Sequence, residues 1–392
     1  MKPEVRVLHL VSGIAIGHHS GGAESFATRL ALLLDRTIIK PAVFAMWKYN
    51  SPAEQKWENI LLSQGIYLRG FIESSAFFPK DISRVFWKLW QEVSRFKPHI
   101  VHSHSERGDL LNILIKLFHP LHPCAVRTVH VERLWLTHPS IGRVISCFFP
   151  ILFDANIAVS RTIYNSLIHQ TPTHSKREKV YLCYNGIDIN LFSNPMPTDP
   201  LSTPRALHDP QIGIIGRLTE QKGHIYLLEA LRIIHDQIKA HLLIIGSGPL
   251  ENTLRQQCTK LNINEYVHFL GYCENIPEIL PQLDCLVVPS LWEGFPTVIL
   301  EAMAMGVPVI ATEVSGSKEL IIDNETGILV PPKDSYALAM AILRILSHRK
   351  QTAYMVKEAK KRVSNYTIQN AAYFYSNLYQ KLCGKKHDTS RN

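Results

Sequence analysis

Apolar positions along the chain fall into two alternating kinds of segment. Short, nearly unbroken apolar runs stand at Val5–Val11, Ile38–Phe44, Ile66–Leu68, Ile100–His102, Cys124–Val129, Ile157–Ser160 and Val180–Tyr184. Runs of this length, bounded by Gly, Pro and Ser, predict strands buried on both faces. Between them lie amphipathic stretches with helical spacing: Glu24–Leu34, Pro52–Gln64, Asp81–Phe96 and Gly108–Phe118. The alternation resumes later with strands at Gln211–Ile215, His241–Ile245, Val267–Leu270, Cys285–Pro289, Val307–Ala311 and Gly327–Val330. Helices are predicted there at Ile225–Ile234, Val298–Met305, Ser335–Ser347 and Gln351–Val363, followed by an amphipathic segment from Ile368 to Leu382. Strand, glycine-bearing loop and helix, recurring in that order, predict an α/β fold of doubly wound sheets.

The alternation breaks once. From Ser193 to Pro210 come five prolines, Pro195, Pro197, Pro200, Pro204 and Pro210, among Ser, Thr and Asp. That composition predicts a linker, so residues 1–192 form one Rossmann-like domain, 193–210 the connection and 211–365 a second. The tail from Gly384 is expected to be disordered. Composition agrees with two folded domains: 392 residues, 46% hydrophobic and 19% charged, are neither disordered nor fibrous. No apolar run reaches the ~20 residues a spanning helix needs, and Met1–Gly17 reads as mature structure because His9 interrupts its short apolar part. Seven scattered cysteines without a C-x-x-C pair predict reduced thiols in a cytoplasm. Residues 1–190 carry 22 Lys and Arg against 14 Asp and Glu, the remainder 20 against 19. A basic first half suits an anionic membrane surface or a phosphorylated acceptor; a merely soluble surface explains it equally well. No aromatic–basic pattern points to nucleic acid.

The most informative stretch is Pro289–Val309, PSLWEGFPTVILEAMAMGVPV. Pro296 suits the start of a helix, where its missing N–H costs nothing, and Gly306 with Pro308 stops it. Glu293 then lies in the loop before the helix, and Glu301 within it. A helix tip with unpaired N–H groups attracts phosphate, and carboxylates on either side can grip hydroxyls flanking a diphosphate. Taken alone, Glu-x7-Glu is more often a loop acid and a helix salt bridge. A second loop, Gly216-Arg217-Leu218-Thr219-Glu220-Gln221-Lys222-Gly223-His224, sets two cations five residues apart at a strand's end; Arg offers a planar fork and Lys a point charge. In the first half, Gly21-Gly22 permits close backbone approach, and Gly22, His104, His130 and Ser160 share the rim where open sheets bind ligands. His102 with His104, or His18-His19, invites a metal, but no third ligand is placed and no Asp-x-Asp occurs, so no metal site is expected. Gly246-Ser247-Gly248-Pro249 lacks the third glycine of a dinucleotide fingerprint.

The Glu293–Glu301 block together with the Gly216–His224 loop resembles the retaining GT-B glycosyltransferases of family 4, the glycosyl transferases group 1. The resemblance spans nearly the whole chain and is specific in the second domain, loose in the first. It implies two Rossmann-like domains facing across a cleft, the first for the acceptor and the second for a UDP- or GDP-linked sugar donor, with a last helix, about 366–383, returning to the first domain. It further implies that Arg217, Lys222, Gly216 and the backbone at Gly294, Phe295, Pro296, Thr297 and Val298 hold the diphosphate, with Gly21 and Gly22 facing it. Glu293 would hold sugar hydroxyls, Glu301 the ribose, Tyr272 would lie against the base, and His130 would point at the sugar. The implied activity is a metal-independent, retaining hexosyl transfer without a separate cofactor, to a glycan, lipid-linked or small-molecule acceptor. Its implied setting is cell-envelope polysaccharide or glycolipid assembly, in the cytoplasm or peripherally on the inner face of the membrane. The alternatives are a nucleotide-sugar epimerase or phosphorylase on the same fold, and a catalytically silent binding subunit. The acceptor-choosing loops around His18, Ser74–Pro79 and Arg133–Arg143 carry no readable code.

Overall fold

The computed structural model describes residues 4–14, 21–73, 78–131, 148–171, 177–193, 209–273 and 275–389. The stretches around His18 and Arg133–Arg143 that were expected to choose the acceptor, most of Ser74–Pro79 and nearly all of the proline-rich segment lie outside them. The chain divides into two compact units, Met1–Gly186 with Ile368–Asn392, and Ile187–Thr367.

The first unit carries seven strands: β1 (Val5–Val11), β2 (Ile39–Lys48), β3 (Tyr67–Glu73), β4 (Ile100–Ser103), β5 (Cys124–Val129), β6 (Ala155–Ala158) and β7 (Val180–Leu182). They form one sheet in the order β3-β2-β1-β4-β5-β6-β7, every pairing parallel. Side chains alternate across a strand, so the unbroken run in β1 feeds two cores. Val5 and Val7 pack with Phe26, Leu30 and, from the last helix, Ala371, Tyr375 and Tyr379. Leu8 and Leu10 pack on the opposite face with Val85, Leu89 and Val93 of the helix Phe78–Phe96. Chain reversal between β1 and β4 makes their carboxyl ends the topological switch point, where open α/β sheets take ligands.

The second unit repeats the plan with β8 (Gln211–Ile215), β9 (His241–Ile245), β10 (Val267–Gly271), β11 (Cys285–Val288), β12 (Val309–Thr312) and β13 (Ile328–Val330). Their order is β10-β9-β8-β11-β12-β13, again all parallel. Ile212, Ile214, Cys285 and Val287 meet Leu227, Leu231, Leu338 and Ile342 from the covering helices in one continuous core. Here the switch point falls between β8 and β11. The loops that leave them, 216–223 and 289–296, are the two stretches whose residue types suggested an anion site.

Two features depart from the sequence-based expectation. The second unit begins at Ile187, ahead of the proline-rich segment, because Ile187 N–H bonds the Tyr366 carbonyl and pairs with Thr367. The helix Ile189–Ser193 accordingly packs on the helix Thr297–Met305. The last helix runs from Ile368 to Thr389, past the Gly384 expected to end it; one interior glycine costs only ~1 kcal/mol, and no Pro follows. Among the described residues, no helix is long and apolar enough to cross a membrane, and Cys183, Cys258, Cys273 and Cys285 are free thiols.

Candidate active site

Loop 216–223 owes its shape to its ends. After β8, Gly216 N–H bonds the Ile245 carbonyl and Leu218 N–H bonds that of Ser247, tying the loop to the turn after β9. A single 3-10 turn, Glu220–Lys222, then delivers the chain to Gly223, which adopts φ 64°, ψ 24°. A Cβ on Gly223 would stand 2.0 Å from the Pro289 carbonyl oxygen. Glycine is therefore required twice over, for the left-handed conformation and for the close approach of the two loops. Two hydrogen bonds continue that contact: Leu291 N–H to the Gln221 carbonyl at 2.7 Å, and Gln221 Nε2 to the Trp292 carbonyl at 3.0 Å.

This docking brings Lys222 and Glu293 together. Lys222 Nζ donates to Glu293 Oε1 at 2.6 Å, the side chains being 22% and 7% exposed. Ser290 Oγ donates to the same oxygen at 2.7 Å, and Ser315 Oγ to the Glu293 carbonyl at 3.1 Å. The carboxylate is thus held in one orientation, while a lysine ammonium, with three donors, keeps hydrogens for an anion. Arg217 lies exposed on the same loop.

The helix after loop 289–296 starts at Thr297, one residue before the expected Val298, and Pro296 stands just ahead of its first turn. Pro296 is its N-cap, with φ −76° and ψ 95°, and no side chain caps the helix. Ile299 N–H folds back to the Pro296 carbonyl at 3.1 Å, so the N–H groups at the tip are those of Thr297 and Val298. Gly294, Phe295 and Pro296 are buried beneath them, Phe295 against the ring of Tyr366. Glu301 is half-buried on the helix, one turn (about 6 Å) beyond Thr297. Tyr272, half-buried, follows β10, where Gly271 accepts the Gly246 N–H.

In the first unit, the Glu24 carboxylate accepts the Gly21 N–H at 2.9 Å at the start of the helix Gly22–Leu33. A Cβ at Gly22 would meet nothing within 4 Å. Phe26 of that helix meets His130, at the end of β5, edge to face with ring centroids 5.7 Å apart. His130 Nε2 lies 3.3 Å from His104 Nδ1, and its Nδ1 lies 3.5 Å from Asn185 Nδ2.

Sequence reasoning missed two groups. His9 stands beside His102 because β1 and β4 pair in that register, which supplies the third imidazole that residue spacing alone did not place. The ring nitrogens of His9, His102 and His104 lie within 4.8 Å of one another. Yet His102 spends both nitrogens on Tyr379 OH (2.5 Å) and Thr128 Oγ1 (2.8 Å). Burial holds all four histidines neutral: it pushes His9 and His130 down to about 3, and His102 and His104 well below the usual imidazole range. The second group is His224, buried just after Gly223, with no partner for either ring nitrogen among the described residues. Burial, with Lys222 nearby, lowers its pKa to about 4.

Two doubly wound parallel units, of seven and six strands, define the GT-B class of glycosyltransferase fold. A crystal structure of Anabaena HepE in complex with UDP and glucose superposes with a TM-score of 0.78 at 20% identity, covering 96% of this chain and all of that one. Family models place the chain within that class: "Glycosyl transferases group 1" matches residues 198–362 and "Glycosyltransferase Family 4" residues 20–191. The putative glycosyltransferase EpsF of Bacillus subtilis is 30% identical over 79% of each chain. The UDP-Gal:alpha-D-GlcNAc-diphosphoundecaprenol alpha-1,3-galactosyltransferase of Escherichia coli is 26% identical over 80% of this chain and 86% of its own. The chain belongs to glycosyltransferase family 4. Against other curated relatives, among them the amylovoran biosynthesis glycosyltransferase AmsK of Erwinia amylovora (33% identical), the match spans only 56–63% of their length.

Proposed function

We propose that the chain moves a sugar, with retention, from a UDP- or GDP-linked donor to a glycan or lipid-linked acceptor during cell-envelope polysaccharide or glycolipid assembly. The observation that carries the reading is the Lys222–Glu293 pair at the switch point of the second unit, beside Arg217 and the uncapped tip of Thr297–Met305. Charge that grows on a departing diphosphate is met by Arg217, by the remaining Lys222 hydrogens and by the Thr297 and Val298 N–H groups. Positive charge is thus supplied by the protein, and the reading needs no metal. Glu293, pinned by Lys222 and Ser290, accepts sugar hydroxyls; Glu301 accepts those of the ribose, and Tyr272 lies against the base. In the first unit, His130 offers its ring to a sugar hydroxyl, and Gly21–Gly22 leaves the backbone open to a phosphate. The acceptor hydroxyl attacks the face the diphosphate leaves, passing its proton to the departing phosphate oxygen. HepE with UDP and glucose and the Escherichia coli galactosyltransferase support the donor and acceptor classes. The basic first half supports a cytoplasmic enzyme working peripherally at the inner face of the membrane.

The test is a thermal-shift screen of nucleotide-sugars, followed by transfer assays on lipid-diphosphate acceptors with and without a chelator. Arg217→Ala and Lys222→Ala each lower kcat about 100-fold, the effect of losing one preorganised anion donor. Glu301→Gln chiefly weakens nucleotide binding. Wild-type rates in both cation variants would overturn the assignment.

A further inference from the structure

His130 is the outer member of a hydrogen-bonded row. Asn185 Nδ2 to His130 Nδ1 spans 3.5 Å, His130 Nε2 to His104 Nδ1 3.3 Å, and His104 Nε2 to His9 Nδ1 3.1 Å. At the inner end, His9 Nε2 is buried with no partner among the described residues. A neutral imidazole has one N–H and one lone pair, so the direction of one link sets all the others. If Asn185 donates to His130, every N–H points inward and the row ends in a His9 Nε2–H with nothing to accept it. In the opposite direction His9 Nδ1–H donates to His104 and His104 Nδ1–H donates to His130. The row then begins in a bare lone pair at His9 Nε2. Orphaned buried N–H groups are the rarer and costlier case. The second direction needs only that the Asn185 amide turn its oxygen to His130. That oxygen is now buried without a partner, and amide oxygen and nitrogen are told apart only by such networks.

We propose that His104 and His9 are positioning residues that hold His130 as the Nδ1–H tautomer, so that the ring's outer nitrogen is a hydrogen-bond donor. The weakest link, Asn185 to His130, is the one a ligand oxygen replaces, while the His104 side remains in place. His102 stands outside the row. Its ring lies 4.1 Å from that of His104, centroid to centroid, and is anchored by Tyr379 and Thr128, itself bonded to Tyr375. That anchoring also argues against a metal among His9, His102 and His104, since His102 would have to give up one of those hydroxyls. The tautomer stands independently; its catalytic consequence rests on the glycosyl-transfer reading.

Histidine-selective ¹⁵N labelling of the full chain reads which nitrogen of each ring is protonated, with His130 assigned by His130→Gln. The wild-type protein shows His130 protonated at Nδ1; His104→Phe, which keeps a ring but no partner, gives a mixture of tautomers, and His104→Gln, which restores a donor, returns a single form. In transfer assays His104→Phe lowers kcat about tenfold, as loss of an orienting partner does, with donor KM changed less than about twofold and most of kcat recovered in His104→Gln. An Nε2-protonated His130, or a tautomer indifferent to His104→Phe, overturns the proposal. So does stoichiometric metal in the purified protein that His9→Phe removes. The spectra require no turnover, so failure of the activity reading and failure of the tautomer are separate results.

Discussion

Replacing Lys222 and Glu293 singly and together measures how firmly the two switch-point loops are joined. At 2.6 Å and an effective dielectric constant near 20, the gross attraction of the pair is about 6 kcal/mol. Burying the carboxylate offsets most of it, leaving the ~1.5–3 kcal/mol typical of a hydrogen bond to a charged group. Lys222→Ala leaves a carboxylate 7% exposed with only the Ser290 hydroxyl on its charge, and should cost about 3 kcal/mol. This is the low end for a broken buried pair, because the lysine's 22% exposure lets water reach the gap. Glu293→Ala should cost about 2 kcal/mol, as the freed ammonium turns to solvent, and the double variant about 3, a coupling of about 2 kcal/mol. Hydrogen exchange at the most protected amides of β8 and β11 reports these differences for the second unit alone. Coupling below ~0.5 kcal/mol, within the range of independent sites, would refute the pairing and leave the two residues to meet a ligand separately.

Gly223→Ala places a Cβ 2.0 Å from the Pro289 carbonyl in a left-handed conformation that alone costs ~1–2 kcal/mol; a loss of at least ~2 kcal/mol by hydrogen exchange, with weakened nucleotide binding by calorimetry, is expected, and unchanged values in both would contradict the loop geometry. The first unit should be acid-labile. Its four clustered histidines have folded pKa values below the unfolded 6.5, so their contribution is complete above pH 6.5 and falls as pH drops toward about 3. Each ring that binds a proton only when unfolded adds ~1.4 kcal/mol per pH unit. Asp109, raised to about 6 by burial, opposes them with one carboxyl between its folded and unfolded values. Urea unfolding followed through first-unit amides should show stability falling steeply from pH 6.5 to 5; a flat profile would refute the neutral row.

Much of the second unit was legible before any coordinates. β8, β9 and the helix Ser335–Ser347 have the predicted bounds, because a buried parallel strand must be a short apolar run and a covering helix must show a 3.6-residue period. The placement of loops 216–223 and 289–296 at strand ends was equally readable from Gly and Pro. Other features were invisible for a physical reason. His9 read only as an interruption in an apolar run, since nothing local to it says that β4 is its neighbour and brings His102 alongside. The turn signal Asn185-Gly186-Ile187-Asp188 stood at the start of the second unit, but the five prolines, also local, suggested a later boundary; the bonds that fix the start at Ile187, to Tyr366 and Thr367, reach far along the chain.

The amino-acid order by itself determined which segments are strands and helices, where their loops bend, and which residues capable of holding an anion stand in those loops. Those properties follow from backbone sterics and side-chain period, which act over a few residues. Tertiary structure alone decided strand order, and with it the meeting of Lys222 with Glu293 across 71 residues and of His9 with His104 across 95. Such contacts depend on which sheet faces bury the most apolar surface together, a property of the whole chain that no single stretch encodes.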